Sequence, residues 1–113
     1  MEEIEKDRDP HRAVDFIRDN AEIYAKAKAE RIYTEEFRKS LKAILMKKSG
    51  ENAVNAQERE AYAHPDYQKL LDGLKEAVII EETLRWKMVA AEARIEVLRT
   101  QEATKRMEYK ATL

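Results

Sequence analysis

Tyr67, Leu70, Leu74, Ala77, Glu81, Leu84, Met88, Ala91, Ile95 and Leu98 recur at alternating spacings of three and four, and the stripe then fades through Glu102 and Lys105 to Tyr109. That spacing keeps every member on one side of an α-helix, because a helix advances about 100° per residue. Ile79, Trp86, Val89, Ala90, Ala93 and Val97 fall on the other side of the same helix. A helix that is apolar on two sides needs cover on two sides. One side is expected to pack within the chain and the other against a further copy.

Working back from this stripe, a second and weaker one runs through Ala13, Phe16, Asn20, Ile23, Ala27, Glu30, Thr34, Phe37, Leu41 and Ile44. Asp9-Pro10 opens it, with Asp9 as a helix N-cap and Pro10 in the first turn, where a missing N–H costs nothing. No Gly or Pro follows until Gly50, which suits a helix C-terminus, as Lys47 and Lys48 suit the negative end of its dipole. Residues 50–66 form a corner. Asn55 and Glu58 have capping-box spacing, so a short helix is expected over Ala56–Ala63, ended by Pro65.

The predicted organisation is one domain: an acidic arm over residues 1–9, helix 1 over 10–49, the corner over 50–66, helix 2 over 66–106 and a frayed tail over 107–113. Gly73 interrupts helix 2 at a cost of roughly 1 kcal/mol relative to Ala. The fold class is all-α: a long antiparallel, coiled-coil-like hairpin with a short corner helix, oligomerising into a helical bundle. Pairing Ile44 with Leu70 or Leu71 sets Leu41 near Leu74 and Phe37 near Ala77 or Val78. It also puts Thr34 beside Glu81 and Glu30 beside Arg85. Glu30, Thr34, Glu81 and Arg85 are thus expected to form a polar layer that sets the register.

Composition agrees with helices. Of 113 residues, 40% are charged, and there are two Gly, two Pro and no Cys, which leaves disulfide and thiolate chemistry out. Val78-Ile79-Ile80 is the one β-branched run, and it sits inside the helical pattern. A hydrophobic fraction of 43% argues against wholesale disorder. No apolar run approaches the ~20 residues that span a bilayer. The N-terminal residues lack the apolar segment of a secretory signal, so a cytoplasmic location is expected, with no membrane partner.

Charge is unevenly spread. Residues 1–9 carry a net −3, whereas residues 26–48 carry eight bases against three acids, a net +5. Lys28, Arg31, Arg38 and Lys42 lie within about a quarter-turn on helix 1, with Lys39 nearby. These five are candidate contacts to a nucleic-acid backbone; the alternative is a solvated face with local ion pairs such as Glu35 with Lys39. Ile79, Trp86, Val89, Ala90, Ala93 and Val97 are the candidate oligomer interface, since Trp beside small residues lets a partner helix approach closely.

No catalytic, cofactor or metal residue is assigned. His11 and His64 each neighbour a Pro at a predicted helix start and lack a second histidine at metal-ligand spacing, so capping or exposure is expected of both. Glu-x-x-His of a di-iron bundle, a glycine-rich phosphate loop and a Gly-x-Ser-x-Gly turn are all absent from the sequence. A non-enzymatic protein is expected.

Two segments taken together resemble a known group. They are Tyr33-Thr-Glu-Glu-Phe-Arg-Lys-Ser-Leu-Lys-Ala-Ile-Leu-Met and Glu58-Arg-Glu-Ala-Tyr-Ala-His-Pro-Asp-Tyr, the latter followed by Leu84-Arg-Trp and Ala90-Ala-Glu-Ala-Arg-Ile-Glu-Val. The pattern is similar to small helical proteins of tailed bacteriophages and prophages, often encoded in early regions near recombination or single-strand-binding functions. It covers most of residues 26–106 and includes no catalytic motif. The resemblance implies an accessory of phage DNA metabolism, working in a bacterial host cell. Two functions follow as expectations: a self-associating adaptor or assembly protein, and a nucleic-acid-binding accessory that uses the basic stripe.

Overall fold

The computed structural model describes residues 9–113. The acidic arm, apart from Asp9, lies outside the described residues. Of those described, 92% are helical, in three helices with no strand: α1 (Pro10–Lys48), α2 (Val54–Ala63) and α3 (Pro65–Thr112). The chain is an all-α helical hairpin.

Local chemistry explains the ends. The Asp9 carboxylate accepts the His11 backbone N–H at 2.9 Å, an N-cap on the first turn of α1. At the other end Gly50 has φ +76°, the left-handed conformation in which a Cβ is penalised, so α1 stops there. Ser49 secures the exit: its hydroxyl donates to the Met46 carbonyl at 2.8 Å and accepts the Glu51 N–H at 3.2 Å. The capping box at Asn55 does not form. α2 begins two residues earlier, its N-cap Ala53 contributes no side-chain bond, and Glu58 turns to Lys42 instead. His64 closes α2 by donating its N–H to the Ala61 carbonyl and opens α3 by accepting the Asp66 N–H on Nδ1 at 3.0 Å.

Among the described residues the two long helices are shared between two compact units, residues 9–24 with 83–113, and residues 25–82. In the second unit the core lies beside the corner. Leu45, Ala61 and Tyr67 are buried, with Leu41, Met46 and Leu71 packed against them, so each of the three helices contributes. Ala61 is the best-covered residue, at 0% exposure. The Tyr62 ring meets Tyr67 edge-on at 5.2 Å, an arrangement that suits the ring quadrupoles. Leu45 and Tyr67 share this core and Arg31 bonds Glu81 fifty residues further on, so within this unit α1 and α3 run antiparallel.

In the first unit the buried apolar residues are the alanines Ala13 on α1 and Ala91 on α3. Phe16 borders a shallow hollow with Lys87, Ala90, Ala91 and Arg94. From Arg99 onward every residue of α3 is exposed, yet the helix persists to Thr112 rather than fraying after Arg106. Residues 99–112 are mostly strong helix formers. Their side chains add Arg99–Glu96 and Lys105–Glu102 ion pairs one turn apart.

Candidate interaction surfaces

Two charged surfaces and an apolar groove stand out in the unit of residues 25–82, and a third surface in the unit that contains Trp86. The first centres on Arg31. Its Nε and Nη2 donate to the two carboxylate oxygens of Glu81 at 2.6 and 3.0 Å, a bidentate fork, while Nη1 donates to Glu35 at 3.1 Å. The Glu81 side chain is 6% exposed. A carboxylate so placed requires a charged, hydrogen-bonded partner, and a guanidinium matches its geometry. Hydrogen bonding to Glu81, and then to Glu35, raises the Arg31 pKa further above its ordinary value and outweighs desolvation.

Within the expected polar layer, Glu81 takes Arg31 as a partner. The Thr34 hydroxyl donates to the Glu30 carbonyl one turn back along its own helix at 2.8 Å. Glu30 itself is exposed. Arg85 belongs to the other unit, where its guanidinium lies 4.6 Å from the centre of the Trp86 ring. Arg31 lies one turn before Thr34 on α1 and carries a side chain long enough to reach Glu81 from there.

The second surface is the basic stripe, which the fold divides. Arg31 is committed to Glu81 and Glu35. Lys42 donates to Glu58 on α2 at 3.3 Å and sits 4.9 Å above the Tyr62 ring. Its pKa is raised, foremost by the Tyr62 hydroxyl and then by Glu58, against desolvation. Lys39 pairs with Glu36 at 3.4 Å, where Glu35 was the expected neighbour. Lys28 and Arg38 are exposed. The stripe therefore does not present five available cations. Arg38, Lys39 and Lys42 instead line one hollow with Tyr62 and Tyr67.

An apolar groove runs along the same unit. Tyr33 and Phe37, stacked at 6.1 Å, face Leu70, Gly73, Ala77 and Ile80 across a space of about 460 Å³. The pairing of α1 with α3 creates it, and neither stripe reveals it because Tyr33 and Ile80 belong to neither.

The third surface is on α3 in the first unit. Trp86, Val89, Ala90, Ala93 and Val97 share one side of the helix and all are exposed, Trp86 at 59% and Val97 at 55%. Ala91, on another side of the helix, is buried. Ile79 belongs to the other unit and is exposed there. His11 and His64 stay at helix ends. Among the described residues, no group of three or more His, Cys, Asp or Glu is placed to hold a metal ion. Nor is any helix among them long and apolar enough to cross a membrane.

The sequence matches no protein-family model, and no curated protein or solved structure matches it either.

Proposed function

We propose that this chain is a non-enzymatic, self-associating helical protein that works as an assembly or adaptor module. One observation carries the reading: in the unit that holds Trp86, the buried apolar residues are two alanines, while Val14, Ile23, Trp86, Val89 and Val97 remain exposed. Large apolar side chains gathered on one helix face mark an interaction surface more often than isolated ones do. Trp flanked by Ala suits a helix partner, because the small residues admit a second backbone while the indole supplies contact area. A second copy is the simplest occupant, since it presents the same face and closes a two-fold contact. The resemblance to phage early-region proteins supports an accessory role in DNA metabolism.

The test is solution mass by light scattering on the whole chain. The wild type is expected at two or more times 13.3 kDa, and Ala93→Glu, which places a charge in the centre of the face, at the monomer mass. A wild-type chain that remains monomeric at ~100 μM overturns the proposal; the associations relevant here have dissociation constants of about that size or below.

A further inference from the structure

We infer that the hollow bounded by Arg38, Lys39, Lys42, Tyr62 and Tyr67 is a binding site for a phosphate group. It lies where α1, α2 and α3 meet in the unit of residues 25–82 and has a volume of about 290 Å³. That is near the lower end of ligand pockets, about 300 Å³, and suits a small ion or the phosphate end of a larger molecule. Every lining side chain carries a hydrogen-bond donor, three of them cationic, and no carboxylate is among them.

Two donors are without a partner inside the chain. Arg38 makes no hydrogen bond or ion pair among the described residues, and neither does the Tyr67 hydroxyl. Tyr67 is only 7% exposed, yet none of the buried side-chain polar atoms lacks a bond, so its hydroxyl is the part that reaches solvent. The ring is held by Leu45 and Ala61 on one side and by Tyr62 edge-on at 5.2 Å. The hydroxyl is thus a fixed donor at the wall of the hollow, which lowers the ordering cost of binding.

The cations are arranged accordingly. Lys42 is held by the Tyr62 ring and by Glu58, and Lys39 by Glu36. Those two carboxylates offset two of the three cations, which leaves the charge of Arg38 uncompensated in the hollow that Tyr67 also lines. A guanidinium fork together with a phenol donor matches the oxygens of a phosphate better than it matches a halide or a neutral ligand. Of the five cations in the basic stripe, only these three converge. The stripe therefore resolves into a discrete oxyanion site rather than a track along a strand.

The test is titration of the full chain with inorganic phosphate, followed by NMR, with ionic strength held constant using chloride. Saturable shifts of the Arg38 and Tyr67 signals are expected, and Arg38→Gln and Tyr67→Phe should each weaken the affinity about tenfold, since each removes a hydrogen bond to a charged group. Absence of saturation, or an affinity unchanged in either variant, overturns the assignment. Arg38 is exposed and Tyr67→Phe keeps the ring, so both variants are expected to fold. Adenosine 5′-monophosphate and an oligonucleotide without terminal phosphates identify the source. Binding of the monoester alone points to a terminal phosphate, and equal binding of the oligonucleotide to a backbone phosphate; either supports the site. Its failure would leave the solution mass unaffected, so it is distinguishable from failure of the self-association proposal.

Discussion

Trp86→Ala is the most direct perturbation of the proposed self-association. A fully exposed Trp presents up to about 250 Å², so at 59% exposure roughly 150 Å² of Trp86 remains to be covered. At ~25 cal/mol per Å² this sets a ceiling of about 4 kcal/mol per copy. Ordering costs and the area retained by the alanine reduce it to about 2 kcal/mol, within the range of interface hot spots. In a two-fold contact both copies lose the side chain, so about 4 kcal/mol is removed and the dissociation constant rises about a thousandfold. The chain contains one Trp, so its fluorescence reports on this face alone. Wild-type emission should move to shorter wavelength as concentration rises and the indole leaves water. Sedimentation equilibrium of wild type and Trp86→Ala over the same range gives the two constants. Emission and mass independent of concentration in the wild type, or a constant changed less than about tenfold by the variant, would refute the reasoning.

Leu45→Ala removes the largest aliphatic side chain of the corner core, buried against Ala61 and Tyr67. It is expected to cost about 3 kcal/mol and to lower the melting temperature by about 10 °C or more in circular dichroism, and a loss below 2 °C would contradict the packing. The two glycines should respond with opposite signs. Gly73 is helical and a Cβ there meets nothing within 4 Å, so Gly73→Ala should stabilise by about 0.5–1 kcal/mol. Gly50→Ala meets nothing either but carries φ +76°, so backbone strain alone should destabilise it by about 1 kcal/mol; equal signs in denaturant titrations would rule this out. For the Arg31–Glu81 fork, Arg31→Glu or Glu81→Arg alone should lower the melting temperature, and the exchanged double variant should recover much of the loss. Additive losses in that cycle would show that the two side chains are not coupled.

The hairpin was legible because Leu70, Leu74 and Ala77 on one helix and Phe37, Leu41 and Ile44 on the other carry helical spacing on their own. The breaks were legible too, since Asp9-Pro10, Gly50 and Pro65 act through backbone chemistry that needs no partner. The corner was less so. Asn55 and Glu58 have the spacing of a capping box, but Lys42, sixteen residues before Glu58, holds that carboxylate instead. Spacing within one helix does not reveal such a competitor. The hollow beside Tyr67 was hidden for the same reason: Arg38, Tyr62 and Tyr67 come from three helices, and only the register at the corner brings them together. Exposure of the Trp86 face, by contrast, followed from its position opposite the stripe.

The choice of register shows where periodicity stops informing. Sliding one helix past another by a turn returns a three-and-four stripe to nearly the same apolar contacts, so the stripe alone is nearly indifferent to a one-turn slip. Residues that do not repeat must choose. Ala61, with no exposed surface, leaves no room for a larger neighbour at the corner, and Tyr67 is seated against it. Glu81 makes the same choice some distance along the helix. In the register the stripes first suggest, its buried carboxylate faces Thr34, and a single hydroxyl cannot supply what it needs. One turn away it meets a guanidinium that offers two parallel donors. The alternative register buries that charge against a poorer partner, a penalty paid only in the wrong alignment. Arg31 and Glu81 thus act against the slip more than they add to the native state.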